Sequence, residues 1–71
     1  MNAIEFWTNE SRIARDMLDQ CLEVIAAANN KTLPPHLNNF DSIKAEAISL
    51  SKFYIYREKQ AEQVIKSIMA R

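Results

Sequence analysis

Seventy-one residues with nine Lys+Arg, nine Asp+Glu, one His, one Cys, two Pro and no Gly exclude most functional classes at once. Without glycine there is no P-loop and no G-x-G-x-x-G turn, because both need backbone conformations and a close phosphate approach that a Cβ forbids. One Cys closes no disulfide within the chain, one His beside it makes no four-ligand zinc site, and zero net charge removes the general pull toward nucleic acid or anionic lipid. A chain of this length forms one domain, 1–71, and buries only about 60% of its unfolded surface.

The opening Met1-Asn2-Ala3-Ile4-Glu5 has no basic n-region and no apolar run behind it, so no signal peptide is expected. The longest apolar run, Val24–Ala28, is five residues, far short of the roughly 20 a membrane span requires. With a lone thiol at Cys21, these features point to a cytoplasmic protein.

The first predicted helix covers about residues 3–29. Asn2 and Glu5 have capping-box spacing, with Met1 and Phe6 at the staple positions. From Ala3 to Ala28 there is no Pro or Gly and good helix formers predominate. Asn29-Asn30 is the natural stop, since Asn best replaces Gly in a left-handed C-terminal cap. The connection, about residues 30–39, contains Pro34-Pro35 and allows a short helical turn over 34–38. A second helix, capped by Asn39 or Asp41, covers about residues 40–70.

Both helices carry apolar residues at alternating steps of four and three. Ala3, Trp7, Ala14, Met17, Cys21, Val24 and Ala28 form the first line; Ile43, Ala47, Leu50, Tyr54, Ala61, Val64 and Ile68 form the second. Such 3.5-residue spacing is the seam of a coiled-coil-like pair, and the short Pro-containing connection folds it into an antiparallel helical hairpin. Each seam is interrupted once, by Glu10 and by Arg57. Pairing Ala28 near Ile43 brings these two charges within about one helical turn, so a structural ion pair that fixes register is expected. The alternative is that both snorkel out of a wide seam.

The apolar residues outnumber what two seams need. Phe6, Ile13 and Leu18 flank the first line, Phe53, Ile65 and Met69 the second, and Ile48 and Ile55 project elsewhere. Flanks this wide fit a helix with two neighbours, so a homodimeric four-helix bundle is expected, a second copy being the simplest supplier of the missing layer. Residues 1–29 hold two Arg against five carboxylates and residues 30–71 seven Lys+Arg against four, giving −3 and +3. Opposite charge favours pairing of the two helices. Arg12–Asp16, Arg15–Asp19 and Glu62–Lys66 add i,i+4 pairs worth a few tenths of a kcal/mol each.

Chemistry-bearing constellations are scarce. Cys21 lies in the seam, about four turns from His36 in the connection. Glu58 and Glu62 share a helix face without the Glu-x-x-His that carboxylate-bridged di-metal bundles require. No nucleophile–base set, metal cluster or phosphate cradle is visible, so no enzyme activity, cofactor, metal or small-molecule substrate is expected. The expected function is a non-enzymatic interaction or regulatory module, an adaptor or inhibitor. It would dock a protein partner through Ile48, Phe53, Ile55 and Tyr56, within or near the densest aromatic stretch, Phe53-Tyr54-Ile55-Tyr56. The competing expectation is a nucleic-acid-binding regulator gripping a phosphate backbone, or an acidic partner, with Lys44, Lys52, Lys59 and Lys66. Against it, Glu62 breaks the stripe and an ordinary solvated face explains the lysines. A small structural subunit of a larger assembly is the third reading.

Overall fold

The computed structural model describes residues 2–34, 36 and 39–70. They form two helices, α1 (Ala3–Asn29) and α2 (Phe40–Met69), packed against each other along their length as a hairpin. The expected staple through Met1, and the short turn over 34–38 that involves Pro35, Leu37 and Asn38, lie outside the described residues.

α1 begins where local chemistry dictates. The Glu5 backbone N–H donates to Asn2 Oδ1 at 2.9 Å, satisfying one orphan amide of the first turn. The Glu5 carboxylate returns to the Asn2 side-chain amide at 3.4 Å. The C-terminus corrects one expectation: Asn30 is right-handed (φ −88°), and Lys31 takes the left-handed position (φ 55°). Thr32 N–H donates to Ala27 O at 2.9 Å and Lys31 N–H to Ala28 O at 3.3 Å, which is a Schellman closure built on a residue with a Cβ. Holding Lys31 there costs about 1 kcal/mol relative to glycine. At the start of α2 Asn39 occupies the cap position, but its side chain bonds no amide, and Asp41 serves only as first-turn negative charge.

The contact between the helices is built from small residues. Ala14, Cys21 and Ala28 of α1 recur every seven residues, and Ala47 and Ala61 of α2 are buried opposite, Ala61 to 1% exposure. Small seam residues allow an axis separation near the lower end of the usual 8–10 Å. Two buried residues lie off the expected lines: Leu18, read as a flank, is 6% exposed, and Ser51 is buried with its hydroxyl donating to Ile48 O at 2.7 Å. Leu50, read as seam, is instead 42% exposed. Ser51 is the buried neighbour, while Leu50 lines the open groove between the helices.

Among the described residues no large side chain is fully buried. The hairpin measures 52 × 18 × 14 Å with a radius of gyration of 15.7 Å, where a compact chain of this length has about 11 Å. Its accessible surface is 5389 Å², against about 4,500 Å² for a compact monomer of this mass. No helix is long and apolar enough to cross a membrane.

Candidate interaction surfaces

A helix turns about 100° per residue, which sorts the exposed apolar side chains of the hairpin onto two broad faces. On one, an open apolar groove of about 260 Å³ runs between the helices, walled by Met17, Cys21 and Val24 of α1 and Ile43, Ala47, Leu50 and Tyr54 of α2. Gln20 and Glu46 are the polar residues at its rim. Tyr54 also borders a smaller hollow of about 180 Å³ with Glu10, Ile13, Ala14, Phe53 and Arg57, so one residue is shared by the two depressions. Phe53 stands beside the groove, 52% exposed, its ring edge-on to Tyr54 with centroids 5.2 Å apart. Phe6, seven residues before Ile13, continues this face toward the open end, its ring edge-on to the half-buried Trp7 at 5.3 Å.

The opposite face carries Ile4 and Leu22 from α1 and Ile48, Ile55 and Met69 from α2, all exposed. Ile48 and Ile55 are about 20° apart around α2, whereas Phe53 is about 160° from Ile55. Tyr56, 63% exposed, points away from α1 at the outer edge. The four residues expected to form one docking surface, Ile48, Phe53, Ile55 and Tyr56, are therefore all accessible but divided between two faces and an edge. Four consecutive residues sweep almost a full turn, so nearness in sequence separates them in space.

Lys52, Lys59 and Lys66 are exposed and step about 20° per heptad along the outer side of α2, near Ile48 and Ile55. Lys44 is half-buried. Lysines so close to an isoleucine row can lay their methylenes over apolar surface while the ammonium stays in water.

Among the described residues, each face has one ion pair across the helices. Arg57 Nη2 donates to Glu10 Oε2 at 3.4 Å on the groove face, joining the two charges that interrupt the seams. On the other face Arg15 Nη1 approaches Glu58 Oε2 at 3.8 Å, too far for a hydrogen bond. That oxygen is buried and has no hydrogen-bond partner among the described residues. The second pair was missed from sequence because Ser51, Glu58 and Ile65 form a seven-residue line with polar members, which an apolar-period search passes over. Of the expected i,i+4 pairs, Arg15–Asp19 forms at 3.8 Å. Arg12 instead donates to Asn9 Oδ1 at 2.6 Å, and neither Arg12–Asp16 nor Glu62–Lys66 comes within ion-pair distance.

Cys21 is a buried free thiol on the groove floor. His36 is exposed in the connection. Among the described residues no group of three or more His, Cys, Asp or Glu is placed to hold a metal ion. Comparison with family models, with curated proteins and with solved structures finds no match.

Proposed function

We propose that this chain is a non-enzymatic protein-interaction module, an adaptor or inhibitor, that works as one half of a homodimeric four-helix bundle. The observation that carries this reading is the excess of accessible surface. At 5389 Å² the hairpin exposes roughly 900 Å² more than a compact monomer of its mass. A specific interface takes about 800 Å² from each partner. Ten large hydrophobic side chains are exposed among the described residues, where a single small domain ordinarily exposes scattered ones. A core of small residues in a chain this short rarely supplies more than about 3–5 kcal/mol. Further burial against another chain is the natural source of the remainder.

With one face given to self-association, the row of Ile48 and Ile55 with Tyr56 at its edge is left for a partner protein. The test is affinity capture from a native cell extract with wild type and Ile55→Glu side by side. A protein retained by wild type and lost only by the variant is expected; identical retention by both contradicts the assignment.

The exposed row of Lys52, Lys59 and Lys66 favours a second reading, a nucleic-acid-binding regulator whose stripe the dimer doubles. Retention on a heparin or RNA column at two salt concentrations separates the two. Strong binding that falls steeply with salt supports the lysine stripe, and passage without retention leaves the apolar surface.

A further inference from the structure

We propose that the groove face is the dimer interface, and that Phe53 of each copy seats in the groove of the other. This rests on the reading of the hairpin as half of a bundle and adds which face is covered and what fills it. A two-fold interface sets one patch against itself, so any projection on it needs a matching hollow on the same patch. The groove face carries both. Its hollow holds about 260 Å³, and a cavity of about 150 Å³ is already large enough to take a benzene ring. Its projection is Phe53, half in solvent with its ring edge-on to Tyr54, a residue of the groove wall.

Chemistry selects a second copy over other occupants. Gln20 and Glu46 are the polar residues at the groove, and no lysine lines it, so an acidic partner meets no countercharge. Nearby, Arg57 is already engaged by Glu10. What the groove offers is an apolar trough with room for an aromatic ring, and the ring stands on the same face. The surface by which the lone hairpin exceeds a compact monomer is about what a stable dimer takes from each copy.

Two measurements on the full chain test this. Sedimentation equilibrium compares wild type with Phe53→Ala and Ile55→Ala, with circular dichroism checking helicity. Wild type is expected to be dimeric, Phe53→Ala to raise the dimer Kd by about tenfold or more, and Ile55→Ala to change it by less than about twofold. In parallel, Phe53 is replaced by the photoreactive benzoylphenylalanine and the labelled chain is mixed with an isotopically heavy copy. Light-to-heavy cross-links falling within residues 17–24 or 43–54 are expected. A dimer whose affinity ignores Phe53→Ala, or whose cross-links fall outside those segments, overturns this interface while leaving the interaction-module reading intact. A folded, monomeric wild type overturns both.

Discussion

The two faces of the hairpin expose comparable apolar side chains but surround them differently. On the groove face the projecting residues are aromatic as well as aliphatic, a hollow lies between the helices, and the charges, Glu10 and Arg57, are joined to each other. On the opposite face the row is aliphatic, and on α2 the exposed Lys52, Lys59 and Lys66 lie close to it around the helix. An isoleucine screened by a lysine methylene chain tolerates water. A half-exposed phenylalanine beside an empty apolar trough does so less well. The difference teaches that exposure alone does not mark an interface: shape and the neighbouring charges decide which face has to be covered.

Four perturbations break or sharpen this contrast. The largest acts on both faces at once. Ala61→Leu forces bulk into a position with 1% exposure and is expected to cost about 1–3 kcal/mol by prying the helices apart, measured by urea unfolding. Next, Glu58→Leu removes a buried carboxylate oxygen that has no hydrogen bond and leaves behind Arg15, which is largely solvated. It is expected to be neutral or to stabilise by about 1 kcal/mol, and a marked loss of stability would mean that the Arg15 contact is worth more than its 3.8 Å separation implies. On the groove side, Glu10→Arg and Arg57→Glu are each expected to cost up to about 1 kcal/mol, a small amount because both side chains are partly solvated. Combining them is expected to restore stability, and a double-mutant cycle with no coupling would sink the registry role. The smallest effect belongs to the lysine row: Lys52→Glu with Lys59→Glu is expected to leave dimer affinity unchanged in sedimentation while reversing any retention on heparin.

The hairpin itself was legible in the sequence. Asn2 with Glu5 announced where α1 starts, and the four-and-three spacing of Ala14, Cys21, Ala28, Ala47 and Ala61 announced the hairpin. What escaped has a physical cause in each case. Ser51 and Glu58 occupy inward positions with polar side chains, so a search for apolar spacing assigned Leu50 in their stead. The left-handed cap falls on Lys31, where Thr32 N–H reaches the Ala27 carbonyl, one residue beyond the Asn that local preference favours. The docking residues were grouped by closeness along the chain, which on a helix scatters them around the axis.

The central claim is that the folded hairpin and its dimer are one equilibrium. The most direct measurement is the thermal unfolding midpoint, followed by circular dichroism at 222 nm over a hundredfold range of protein concentration, as a bundle whose folding is coupled to association requires. The midpoint is expected to rise steadily with concentration. A midpoint independent of concentration, in a sample whose sedimentation gives the monomer mass, would contradict the account.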